Sequence, residues 1–143
     1  MARLAVTPKH LWIIGIISLL WNFVGAFDYL MTQTQNEAYM GNFTQEQLDY
    51  FYGFPTWVVA FWALAIWSSV LGSILLLLRK RLATPVFLVS FVAMVITSIH
   101  NYGFYDAMAV SGAGGLAFAA VIFVISLFLW LYSRAMGARG VLG

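Results

Sequence analysis

The chain contains no cysteine. Disulfides, thiolate metal sites and thiol nucleophiles are therefore excluded, and the redox compartment is not encoded. Charge is nearly as scarce: Asp, Glu, Lys and Arg make up 8% of the 143 residues, against about 25% in soluble domains. Histidine occurs twice, as His10 and His100. These two fall on opposite sides of the membrane in the layout derived below, so they cannot supply the three or four ligands of a zinc site. No lysine sits inside an apolar run, which leaves a Schiff-base chromophore without an anchor. Ser111, His100 and Asp106 are near one another in sequence but have no spacing specific to a catalytic triad. No polar track crosses the inner half of the apolar segments, which argues against an ion channel or proton pump. The reading leans away from an enzyme, and neither a cofactor nor a metal is expected.

What the chain has in abundance is apolar surface, at 63% of its residues. A hydrocarbon core about 30 Å thick is crossed by roughly 20 mostly apolar residues in a helix. Four such runs can be marked, at His10–Met31, Pro55–Leu78, Thr84–Tyr105 and Gly115–Ser133. Stretches such as Ile13-Ile14-Gly15-Ile16-Ile17 and Leu75-Leu76-Leu77-Leu78 lack the alternation of a membrane barrel. The expected fold is all-α: a polytopic membrane protein, a single domain over residues 1–143, built as an antiparallel bundle of four transmembrane helices in the lipid bilayer. Arg3 and Lys9 before an apolar run resemble a secretory signal. The run is long for one, however, and Asn22-Phe23-Val24-Gly25 makes a poor cleavage site, so it is expected to be a retained span.

Charge placement orients this layout. All seven basic residues, Arg3, Lys9, Arg79, Lys80, Arg81, Arg134 and Arg139, fall on the side holding both termini and the middle turn. By the positive-inside rule that side is cytoplasmic. The acidic residues Asp28, Glu37, Glu46, Asp49 and Asp106 fall on the other side or at its border. The expected location is the bacterial inner (cytoplasmic) membrane, multi-pass, with both termini cytoplasmic. The net charge of +2 thus reports topology, and a nucleic-acid partner has no support.

Small and polar residues collect in stripes. Gly15, Ser18, Asn22 and Gly25 share one face of the first helix, Ala65, Ser68, Ser69 and Gly72 one face of the second, and Ser90, Met94, Thr97 and Asn101 one face of the third. Gly115, Ala119, Ile122, Ser126 and Ser133 do the same in the fourth. Such faces let helices approach closely in a bilayer. Thr44 and Gln47 have capping-box spacing, and Leu48, Phe51 and Tyr52 repeat at three and four. A short interfacial helix over Gln45–Tyr52 is expected in the outer loop. Ala107–Gly114 reads as a flexible outer turn.

Two stretches concentrate chemistry. Trp21-Asn22-Phe23-Val24-Gly25-Ala26-Phe27-Asp28-Tyr29 and His100-Asn101-Tyr102-Gly103-Phe104-Tyr105-Asp106 repeat the order amide, glycine, carboxylate among rings. If the first and third helices touch, Asn22, Asp28, Tyr29, His100, Asn101, Tyr105 and Asp106 surround an outward-facing site for a small polar solute. In such a site rings cover C–H faces while amides and carboxylates fix hydroxyls. The plainer readings stand beside it: Asn22 as interhelical glue, Asp28 and Asp106 as solvated helix ends, His100 as a structural or proton-responsive group, and the rings as an aromatic belt.

The layout Trp21-Asn22…Gly25…Asp28-Tyr29, then Phe54-Pro55-Thr56-Trp57, then Arg79-Lys80-Arg81 and Pro85-Val86-Phe87, resembles a family of small bacterial four-span proteins loosely named "sugar transporter". The resemblance covers about the first hundred residues and brings no binding residue with it; it implies a sugar-like solute. Two functions are carried forward. One is binding or transport of such a solute from the outer face, with a homo-oligomer supplying the pathway. The other is an accessory subunit packed against a larger membrane complex.

Overall fold

The computed structural model describes residues 6–104 and 107–143, whose regular elements are all helices, with no strand among them. The elements are α1 (Lys9–Gln33), α2 (Glu37–Met40), α3 (Gln45–Tyr52), α4 (Thr56–Leu77), α5 (Ala83–Ile99) with a π-helical turn at His100–Phe104, and α6 (Ala107–Ala138). Helices over Lys9–Gln33, Thr56–Leu77, Ala83–Tyr102 and Leu116–Ala138 are long and apolar enough to cross a membrane. The expected runs are met to within a few residues at most ends. The exception is α6, which begins at Ala107, where a flexible turn was expected. That segment has no proline, and each glycine costs a helix only about 1 kcal/mol relative to alanine. Backbone groups near lipid have no other partner than their own helix, so the helix persists.

Helix α4 is the centre of the packing, with α1 on one side and α5 on the other, and α6 lies against α5. Small residues set these approaches. A Cβ at Gly15 of α1 would lie 2.5 Å from the Leu77 side chain, and one at Gly72 would lie 2.7 Å from the Phe87 ring. Ser90 Oγ donates to the Ala65 carbonyl at 2.6 Å, fixing α5 to α4. Helices α1 and α6 are not packed along their length. They are bridged by the His10–Tyr132 hydrogen bond of 2.5 Å and by the Trp21–Phe118 ring contact at 6.0 Å.

At the end carrying the α4–α5 turn, the basic end, Leu11, Leu76, Ala83, Phe87, Leu129 and Met136 form a core completed by Val141 and Leu142. Helix α4 stops in a Schellman arrangement, with Lys80 N–H on the Leu75 carbonyl at 2.9 Å and Arg79 left-handed at φ 58°. Helix α6 stops likewise at Gly140, φ 73°, with Val141 N–H on the Met136 carbonyl at 2.9 Å. The Arg81 guanidinium then donates to the Gly137 carbonyl at 2.8 Å and Arg79 to that of Val141 at 3.2 Å. Cations at a helix C-terminus are favourable against its dipole, so the basic turn also locks the chain's last residues in place.

The opposite, loop end carries α2 and α3. The Thr44 side chain accepts from Gln47 N–H at 3.2 Å while Thr44 N–H donates to Gln47 Oε1 at 3.1 Å, the capping box expected for α3.

Candidate functional site

A cavity of about 540 Å³ runs between α1, α4, α5 and α6 and is roofed by residues of α3 and its flanking loops. This size falls within the range of small-molecule sites. Its wall changes character along its length. Toward the loop end stand Asp28, Tyr39, Tyr50, Thr97, Ser98 and Asn101, with the apolar Met94 and Ile122 next below them; toward the basic end stand Phe87 and Leu129 among Ser69, Ser90 and Ser126. Two serines of the deeper wall, Ser69 and Ser90, turn their hydroxyl protons away from the cavity. Ser69 Oγ donates to the Ile66 carbonyl at 2.7 Å and Ser90 Oγ to that of Ala65.

Asn22 is buried and borders the cavity, but its amide is committed to α4: Nδ2 donates to Ser73 Oγ at 2.8 Å and to the Ser69 carbonyl at 3.0 Å. Ser18 Oγ adds a 3.3 Å contact to the same Ser73 hydroxyl. The contact anticipated between the first and third spans does not form the site's frame. Helix α4 stands between them, because its serines offer Asn22 a nearer partner.

Asp28 borders the cavity and accepts from the Tyr39 hydroxyl at 2.5 Å, tying α1 to α2. That hydrogen bond, with burial and the carboxylate's charge adding to it, pushes the Tyr39 phenol up to about 12. Burial, with Tyr102 adding, pushes Tyr50 to about 12 as well. The Tyr50 hydroxyl is buried and finds no hydrogen-bond partner among the described residues. It points to a wall with a polar group still to be satisfied.

Tyr29 is turned away from the cavity, edge-on to Trp62 at 4.9 Å and to Trp67 at 6.3 Å. His100 is also outside the wall, buried between Trp57 at 5.3 Å and Phe54 at 6.2 Å. Its Nδ1 lies 3.0 Å from Asn101 Oδ1, so it holds the Asn101 amide in place at the cavity. Tyr105 and Asp106 lie outside the described residues.

Of the candidates, Asn22, Asp28 and Asn101 thus share one cavity, while Tyr29 and His100 support it from behind. Sequence reasoning missed Tyr39, Tyr50 and Ser98. The abundance of rings in the 32–54 connection was the available signal for the two tyrosines. Phe27, Tyr39, Phe43, Phe51, Phe54 and Trp62 form a continuous run of ring contacts over that end. No group of three His, Cys, Asp or Glu side chains placed to hold a metal occurs among the described residues. Compared with protein families, with curated proteins and with solved structures, the chain finds no match in any of the three.

Proposed function

We propose that this chain is a bacterial inner-membrane protein whose four spans form an antiparallel bundle, termini cytoplasmic, with α3 lying on the outer surface. In this reading it receives a small hydroxyl-bearing solute at the outer, loop end of the cavity. The observation that carries it is the gathering of Asp28, Tyr39 and Asn101 at one end of a single 540 Å³ cavity. A carboxylate, an amide and a phenol together accept and donate, the pattern that fixes a polyol. The resemblance to the four-span "sugar transporter" proteins agrees with that chemistry. Transport, as opposed to binding, would draw on a homo-oligomer, because four helices leave little room for alternating access.

The test is a melting shift of the protein in lipid nanodiscs on adding glycerol, sorbitol or glucose. Wild type is expected to be stabilised by at least one of them, and Asn101→Ala to weaken that binding about tenfold, equivalent to one hydrogen bond of about 1.4 kcal/mol. No shift with any polyol would end the proposal. The topology has its own test: a cytoplasm-active reporter after Gly143 works, one inserted at Gly41 fails, and the reverse result overturns the orientation.

A second reading, the accessory subunit, draws on α6. In its Leu116–Ala138 stretch 11% is buried, against 33% in Ala83–Tyr102, making it the least enclosed span. A protein partner seated on α6 would make the chain elute in a stable larger complex from mild detergent.

A further inference from the structure

We propose that the ligand of this cavity is a single-chain amphiphile with an uncharged, hydroxyl-bearing headgroup, of the monoacylglycerol type, rather than a free polyol. The inference rests on the solute-binding reading above and specifies what that solute must carry. Its basis is the shape and polarity of the cavity together. Along α5 the wall extends from Phe87 to Asn101, fourteen residues or about 21 Å at 1.5 Å per residue. A volume of 540 Å³ drawn out over that length makes the cavity long rather than compact. An extended hydrocarbon chain follows such a shape along its whole length, a compact sugar ring does not, and two acyl chains with a headgroup exceed its volume.

The wall beyond the polar end is also wrong for a polyol. Ile66, Met94, Ile122 and Leu129 offer no hydrogen bonds, and the Ser69 and Ser90 hydroxyls donate to backbone carbonyls. A free sugar would occupy the polar end and leave about two helical turns of apolar cavity unfilled. A tail fills it with the dispersion contacts an empty slot forfeits. The headgroup's charge follows from the ends. Asp28 stands at the polar end of the cavity, while Lys9, Arg79, Lys80, Arg81, Arg134 and Arg139 all lie at or beyond the opposite helix ends. An anionic head would meet a carboxylate with no cation beside it, at a cost of several kcal/mol. A hydroxylated neutral head meets Asp28, Asn101 and Tyr39 with donors and acceptors for each. Entry is available from the bilayer itself, since α1 and α6 are bridged at His10–Tyr132 and Trp21–Phe118 rather than packed.

The test uses the whole chain in nanodiscs and a monoacylglycerol with a photoreactive group midway along its tail. The expected result is covalent labelling of Met94 or Ile122, suppressed by excess unlabelled monoolein and not by phosphatidylglycerol. Labelling confined to the outward residues Val121 and Val124, or equal suppression by both lipids, overturns the inference. Ser126→Phe, which fills the slot, is expected to abolish inner labelling while labelling of Val121 and Val124 persists. Should that variant fail to fold, the wild-type map and its competition decide alone. Melting with glycerol in the same nanodiscs separates the two levels. A glycerol shift without inner labelling removes the amphiphile and keeps the solute site; absence of both removes both.

Discussion

Asn22→Ala decides whether the most conspicuous polar residue of α1 is a structural tie or a ligand contact, and its cost can be worked out beforehand. The Asn22 amide makes two bonds, 2.8 Å to Ser73 Oγ and 3.0 Å to the Ser69 carbonyl. Removing it orphans neither partner. The Ser69 carbonyl retains its own bond four residues on within α4, and Ser73 Oγ retains Ser18 Oγ at 3.3 Å. The loss is therefore that of two interhelical bonds, each about 0.6 kcal/mol on average in a bilayer and at most about 1.7. A destabilisation of about 1–2 kcal/mol is expected, well short of the ~3–5 kcal/mol of a broken buried charge pair. Ser73→Ala should cost a similar amount, and the double variant less than the two together by about 0.6–1.7 kcal/mol. Reversible unfolding in bicelles measures all three. Additivity within about 0.3–0.5 kcal/mol would refute the tie. So would wild-type stability in Asn22→Ala accompanied by lost polyol binding, which would make Asn22 a ligand contact.

Other residues yield further expectations. Gly72→Val should destabilise by about 1–3 kcal/mol, the usual range for overpacking, because the new Cβ falls 2.7 Å from the rigid Phe87 ring; unchanged melting would deny the α4–α5 contact. At Gly15 the obstructing atoms are the mobile tip of Leu77, so Gly15→Ala should cost less than Gly72→Val in the same assay. Thr44→Ala removes the capping box of α3 and about 1 kcal/mol of helix stability, read as faster amide exchange over residues 45–52 with the spans unaffected. Tyr39, whose phenol is raised from 10.0 to about 12, is favoured in its protonated form by folding. Its contribution is whole below pH 10 and is lost as pH rises from 10 toward 12. Phenolate absorbance should show one late-titrating tyrosine fewer in Tyr39→Phe, and Asp28→Asn should bring Tyr39 back toward the ordinary value.

The spans were legible because a length of about twenty apolar residues is nearly the whole physical criterion. The capping box at Thr44 and Gln47 was legible because both members lie within one turn. The stripes were legible as faces and not as pairings: Gly15, Ser18 and Asn22 are buried as expected, but periodicity says which side of a helix meets protein and never which helix it meets. Asn22 and Asn101 were placed around one site because their surroundings match, and both do border one cavity, but periodicity could not show what holds each. The structure gives the first to Ser73 and the second to His100. The Tyr39–Asp28 bond joins two helices across a turn and leaves no periodic trace. The π-helical turn at His100–Phe104 was equally hidden, since one wider turn changes no hydrophobic period long enough to measure.

That turn explains why two stretches with the same order of residue types do different work. The first stays α-helical, and its amide is spent on α4 within the bundle. The second widens just where Trp57 and Phe54 enclose His100, and the next residue, Asn101, is left at the cavity. The cavity itself follows from how the small residues are distributed. Helix α4 carries them along one broad stripe, whose Ser69 and Ser73 side meets α1 and whose Ala65 and Gly72 side meets α5. Both neighbours are therefore drawn to α4, and α1 spends its own small stripe on that contact. What α1 turns toward α6 here is Trp21, which meets Phe118. Two rings with centroids 6.0 Å apart hold the backbones farther apart than a glycine stripe would. The slot is thus a consequence of α1 having one close-packing face and two potential neighbours.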